Sequence, residues 1–183
     1  VDSCCRAVTV LKQQPVSAVE LLDRRSLRSV EQKAGMPDWV KHLSDNACAL
    51  LVESTAPGSS ILQRQLTQIV QSLAGFELER QVEFTSEPAV YNQLWAIRKG
   101  TFPAVGAVRK TGTTVIIEDV TFPVEKLAEG VSHLQRLFDK HHYNEAIIFG
   151  HALEGNLHFV FTQSFDDAIQ VARYDAFMQD VAQ

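Results

Sequence analysis

Two histidines and an asparagine fall within one short stretch, Ile147-Ile148-Phe149-Gly150-His151-Ala152-Leu153-Glu154-Gly155-Asn156-Leu157-His158-Phe159. Apolar, β-prone residues flank Glu154-Gly155, and this pair reads as the tip of a hairpin. With those two residues central, His151 faces His158 across the ladder, with Cβ atoms roughly 4.5–5.5 Å apart on one face. Two imidazoles so placed can share a metal ion. Asn156 joins that face by the period-2 alternation of a strand. Two ligands do not complete a metal centre, so a third carboxylate or imidazole has to come from elsewhere. On spacing alone the pair can equally be structural, or two solvated side chains.

A second group is basic. Arg98-Lys99 follows Trp95, and Arg109-Lys110 lies beyond Pro103. A guanidinium at 98 can hold a carboxylate through two parallel hydrogen bonds, and a solvated helix end is the plainer reading. Glu118-Asp119 closes a β-branched run. Adjacent strand residues point to opposite faces, so these carboxylates form no acid/base pair and suit a cap or a salt bridge better. His141 and His142 follow a long helix and complement its dipole. His42 and His133 read as solvated. Cys4, Cys5 and Cys48 are an odd set with two adjacent members, which fits reduced thiols in a cytoplasmic compartment and no disulfide framework. There is no CxxC, GxGxxG, Walker A, GxSxG or HExxH pattern.

The elements that must position these groups alternate between strand and helix. Residues 3–14 read as a helix, Ala18 to Leu22 as an apolar run and Ser26 to Lys33 as a helix ended by Gly35 and Pro37. Cys48 to Glu53 reads as a strand. Ile61, Leu62, Leu66, Ile69, Val70 and Leu73 keep helical spacing after Pro57-Gly58. Glu77 to Thr85 alternates and is predicted as a strand. A helix opening at Ser86 carries Val90, Leu94, Trp95 and Ile97 and is broken at Gly100 and Pro103. Thr113 to Val120 is a β-branched strand, and the helix after Pro123 has the longest apolar face. Glu145 to His151 and Leu157 to Thr162 form the hairpin, and 167–181 a last helix. The loops fall at 34–46 and 100–112. A closing β-β hairpin excludes purely parallel winding. The expectation is therefore α+β, with a ferredoxin-like antiparallel sheet and helices mainly on one face.

The chain has 183 residues, 45% apolar and 21% charged, which is one ordinary globular domain and excludes long disorder. Seventeen basic against 22 acidic residues give a net charge of −5. No nucleic acid partner is expected from that balance, and no apolar run is long enough for a membrane span. The chain begins at Val1 with a helix already under way, and it reads as part of a longer protein.

Gly150-His151…Gly155-Asn156-Leu157-His158 resembles the Gly-His-x-Gly-Asp-Gly-Asn-x-His signature of FAD-linked oxidases, the D-lactate, D-2-hydroxyglutarate and glycolate dehydrogenase-like flavoenzymes. Leu94-Trp95-x-x-Arg98 is similar to that family's Leu-Trp-x-x-Arg segment. Asp119-Val120-x-x-Pro123 is similar to its strand–Pro–helix step, and Ser17 to Asp23 to the strand that opens its C-terminal domain. The resemblance runs from about Pro15 to Gln183. It implies a cap or substrate domain, residues 1–183, whose FAD-binding domain belongs to the same parent chain and precedes Val1. It implies FAD as cofactor and a small D-2-hydroxy acid as substrate. Arg98 would clamp the substrate carboxylate, His151 and His158 would act as catalytic residues and ligate a divalent metal such as Zn, and Asn156 would support the hairpin or face the flavin.

Three departures qualify the resemblance. Ala152-Leu153-Glu154 stands where the family has x-Gly-Asp, and losing a glycine narrows the backbone options of the turn. Ile117 stands where some members place a substrate lysine, and Lys110 or Lys99 is the replacement expected. Nothing after His158 matches the Glu-His segment that supplies the family's third metal ligand. The His-Ala-Leu-Glu-Gly-Asn variant is most similar to large flavin enzymes that also carry iron–sulfur domains, which implies a cluster elsewhere in the parent. The rival expectation is a ferredoxin-like sensing or oligomerisation module, a homo-oligomer in which the His pair is structural.

Overall fold

Alternating apolar residues build the sheet, and helical stripes cover it. The structure is a computed structural model and describes residues 1–183. The strands are β1 (Ala18–Asp23), β2 (Cys48–Glu53), β3 (Thr113–Thr121), β4 (Ile147–His151) and β5 (Asn156–Ser164). The helices are α1 (Asp2–Leu11), α2 (Arg24–Val30), α3 (Ser59–Ser72), α4 (Pro88–Val108), α5 (Leu127–Lys140) and α6 (Ala168–Val181). One sheet of five strands has the order β2-β1-β4-β5-β3, antiparallel at every pairing. β3 and β4, joined through α5, flank β5, which is the split βαβ arrangement of ferredoxin-like sheets. No helix is long and apolar enough to cross a membrane.

Strand alternation sends side chains into two cores. On the first face Val19, Leu21, Ile148, Leu157, Phe159 and Phe161 meet α1, α3, α5 and α6. Phe177 of α6 sits among Phe138, Tyr143, Phe159 and Phe161, with ring centroids 4.8–6.0 Å apart. Each such buried ring contributes on the order of 1.5–3 kcal/mol. On the second face Leu22, Ile147, Phe149 and Val160 meet α2, α4 and the 36–43 segment, from which Val40 is fully buried. Asp23 starts α2 by accepting a hydrogen bond from the Ser26 amide at 2.7 Å. Burial pushes that carboxyl above its usual range, and the Ser26 hydrogen bonds oppose the shift.

Three expectations are corrected. Residues 77–85 form no strand. Val82 and Phe84 lean half-buried on the first core, so the alternation records burial without a strand partner. Helix α4 continues through Gly100 and Pro103 to Val108. An interior proline costs about 3 kcal/mol, and burial of Ile97, Thr101, Ala104 and Val105 outweighs it. The hairpin is also wider than the two-residue turn. Ala152–Glu154 make a 3₁₀ turn and Gly155 takes a left-handed conformation. His151 therefore pairs with Asn156, and His158 with Phe149. Ala152 is fully buried, and the turn is tied down where the Phe122 amide donates to the Gly155 carbonyl at 3.0 Å.

Gly155 has φ of +73°, and a Cβ there would lie 2.0 Å from the Phe122 carbonyl oxygen. Gly155→Ala should therefore lose more than about 2 kcal/mol in urea unfolding. Gly75→Ala, where a Cβ meets nothing within 4 Å, should stay within about 0.5 kcal/mol. Equal stability of the two variants would contradict this account of the turn.

Candidate functional site

The second face of the sheet is left partly uncovered, and the polar residues predicted from sequence gather there. β1 contributes Glu20, directly opposite His151 of β4. β5 contributes Asn156 and His158, and β3 contributes Asp119 opposite His158. Helix α4 crosses this face on its Ile97, Ala104 and Val105 contacts and brings Arg98 to β1.

The imidazoles of His151 and His158 lie 5.5 Å apart, centroid to centroid, nearly perpendicular. They meet on the diagonal of the shifted ladder rather than as opposed residues. Each ring is held by a carboxylate at the same nitrogen. His151 Nδ1 bonds Glu20 Oε1 at 2.6 Å, and His158 Nδ1 bonds Asp119 Oδ1. A carboxylate partner calls for a proton on Nδ1, which leaves Nε2 with its lone pair in each neutral ring. Asn156 donates from Nδ2 to Thr121 Oγ1 at 3.0 Å, tying β5 to β3 beside the pair.

Arg98 lies at the other end of the same carboxylate. Its Nε donates to Glu20 Oε2 at 2.5 Å, and its guanidinium carbon is 4.6 Å from the Phe149 ring centre. His158 also neighbours Phe149, with ring centroids 5.4 Å apart. The side chains of Glu20 and Arg98 are 4% and 12% exposed, whereas His151 is half exposed. Arg98 Nη1 and Nη2 make no hydrogen bond within the chain, and neither is buried without a partner. An end-on edge of the guanidinium is therefore free for an anion.

Lys110 is not brought to this cluster. It precedes Thr113, at the far end of β3 from Asp119, roughly 20 Å away at the rise of a strand. Lys99 is exposed on α4. His141 bonds Asp180 at 2.5 Å across α5 and α6. Lys140 and His141 hold the Asp180 carboxyl below its usual range. All three cysteines are free thiols, and burial pushes the Cys5 thiol up to about 12, so it stays protonated.

Sequence reasoning missed Glu20, and it gave Asp119 to a cap or a salt bridge, of which the structure shows the pairing, with His158. The signal for Glu20 was a single carboxylate inside Ala18-Val19-Glu20-Leu21-Leu22, an otherwise apolar strand. As metal ligands the imidazoles suit a divalent ion, because Glu20 and Asp119 already fix both tautomers. The set is incomplete, since no group of three or more His, Cys, Asp or Glu is placed to hold a metal ion.

The family model described as FAD linked oxidases, C-terminal domain, matches residues 1–183. A curated relative from Arabidopsis thaliana, D-lactate dehydrogenase [cytochrome], mitochondrial, is 33% identical over 150 residues. That match covers 82% of this chain and 25% of the plant protein, so the chain spans about a quarter of its relative's length.

Removing Arg98 strands a buried carboxylate. Arg98→Ala should cost about 3 kcal/mol of unfolding free energy, and Arg98→Lys, which keeps the charge, less than half of that. Urea midpoints check this, and equal losses would show that the charge pair is not what Arg98 supplies to stability.

Proposed function

The chain belongs to the FAD linked oxidases, C-terminal domain family, and from that membership we propose that it is the cap domain of an FAD-dependent dehydrogenase oxidising a D-2-hydroxy acid. The observation that carries the reading is the free guanidinium edge of Arg98 held beside two imidazoles with unclaimed Nε2 atoms. The D-lactate dehydrogenase name of the plant relative supports the substrate class.

In this reading Arg98 Nη1 and Nη2 take the substrate carboxylate by two parallel hydrogen bonds. The hydroxyl on the neighbouring carbon then faces the His151–His158 pair. FAD, bound mainly by another domain of the parent chain, supplies the acceptor for hydride from C2. A divalent metal such as Zn would be held by Nε2 of His151 and His158, with further ligands from outside this chain, and would supply polarisation of the 2-hydroxyl. Phe149 walls off water beneath the guanidinium. Asn156 braces the hairpin on the side open to the flavin domain. Lys110 stays outside this proposal because of its place at the far end of β3. An iron–sulfur cluster elsewhere in the parent is part of the reading, supported by the Ala152-Leu153-Glu154 turn. So is a reducing, cytoplasmic compartment, supported by the free thiols.

The test uses the full-length protein. D-lactate or D-2-hydroxyglutarate should bleach its flavin absorbance under anaerobic conditions, and the L enantiomers should not. Bleaching by neither D acid nor any homologous D-2-hydroxy acid would overturn the substrate class. Arg98→Lys should lower kcat/KM by more than about tenfold, because a charged hydrogen bond contributes roughly 1.5–3 kcal/mol. An unchanged kcat/KM would remove Arg98 from substrate binding.

A further inference from the structure

Glu20 has no place in the chemistry derived so far, yet it touches both halves of the site. It is a carboxylate in the middle of a sheet, 3% exposed, between β2 and β4. Each of its oxygens serves one partner: Oε1 takes His151 Nδ1 at 2.6 Å and Oε2 takes Arg98 Nε at 2.5 Å. The two partners come from elements far apart in sequence, β4 and α4. We propose that Glu20 is the positioning residue of this site, a single buried carboxylate that sets the direction of the Arg98 guanidinium and the tautomer of His151 together. The inference rests on the reading of Arg98 and His151 given above.

The argument is one of donors and acceptors. An ionised carboxylate only accepts, so both partners must present N–H groups to it. For Arg98 this uses Nε and turns Nη1 and Nη2 outward, as the end-on fork that matches a carboxylate. For His151 it places the proton on Nδ1 and the lone pair on Nε2. One ionised group thereby leaves free an anion-binding edge on one partner and a lone-pair nitrogen on the other. Phe149 limits the remaining rotation of the guanidinium by lying against it. Asp119 treats His158 the same way but has no second partner, and it is largely exposed. Glu20 alone couples the two functions.

A glutamine at this position has the right shape and one acceptor too few. If its oxygen serves Arg98, its amide NH2 faces His151 Nδ1. That nitrogen must then accept, and the proton moves to Nε2. If its oxygen serves His151, the amide opposes Arg98 Nε and the guanidinium turns away.

The experiment compares Glu20→Gln, Glu20→Asp and Arg98→Lys in the full-length flavoprotein. Oxalate, an unreactive carboxylate, is titrated against the flavin spectrum. Ring-nitrogen NMR of isotope-labelled histidine, assigned with His151→Gln, reports the tautomer. Glu20→Gln should raise the oxalate Kd or shift His151 to the Nε2–H form, and lower kcat/KM by more than about tenfold. Flavin content should not change. Glu20→Asp keeps two acceptors but is one methylene shorter, so it should lose less than Gln in every readout. It also serves if the Gln variant does not fold, with an expected rise in oxalate Kd of at least about threefold. A lower melting temperature with oxalate Kd and tautomer both unchanged would make Glu20 purely structural and overturn the proposal. If Arg98→Lys and His151→Gln also left kcat/KM unchanged, the site reading itself would have failed. Loss in those two with none in either Glu20 variant would sink the positioning role alone.

Discussion

An ionised carboxylate inside a β-sheet is costly unless charged or hydrogen-bonding partners meet it, and much of this molecule's second face follows from that constraint. Glu20 lies on β1, whose other second-face neighbour, Leu22, is in the apolar core. The guanidinium that neutralises it has to come from outside the sheet. Helix α4 supplies it, and α4 can lie there only because Ile97, Ala104 and Val105 are buried beneath it. The proline within α4 is tolerated for the same reason, since the helix is held by what it covers rather than by its own propensity.

The two faces of the sheet divide the work. Four helices and a cluster of aromatic rings close the first face, and most of the large buried side chains lie there. The second face has two helices, and its polar end stays reachable: His151 is half exposed and Asp119 more so. On the proposed reading these polar groups meet a ligand, which the better-packed core would not admit. The closed face holds the strands in register, and the register decides which side chains reach the open one. A shift by one residue would turn Glu20, Phe149, His151 and His158 into the wrong core.

Legibility followed the range of the interactions involved. Strands β1, β2, β3 and the hairpin strands were readable because apolar and β-branched runs are local signals, and β2 spans the predicted Cys48–Glu53. The amphipathic helices α3 and α5 were readable from spacing. Residues 77–85 were misread because alternation cannot distinguish a strand from a loop leaning on a core. The end of α4 was misread because Pro103 is a local signal and its compensation is tertiary. Of the side chains that cluster on the second face, His151, His158 and Asn156 were named from one short segment, and Arg98 from its place after Trp95 and from a motif. Glu20 is 131 residues from the His151 it binds, so no window contains both. Its single trace in the sequence was a charge where an apolar residue would be expected.

The wider turn shows how His151 and His158 stay together despite the departure from the family pattern. Leu153 in place of a glycine removes a permissive position, and the chain answers with a 3₁₀ turn that leaves the left-handed conformation to Gly155. The ladder moves by two residues, from His158 opposite His151 to Asn156 opposite His151. Two is the period of a strand, so every side chain keeps its face. The histidines become diagonal neighbours, and long planar rings still meet across that diagonal. A turn altered by one residue would have separated them onto opposite faces. Such a hairpin can accept turn sequences that preserve parity, and the constraint on residues 152–155 falls on Gly155 and on the count of residues between His151 and Asn156.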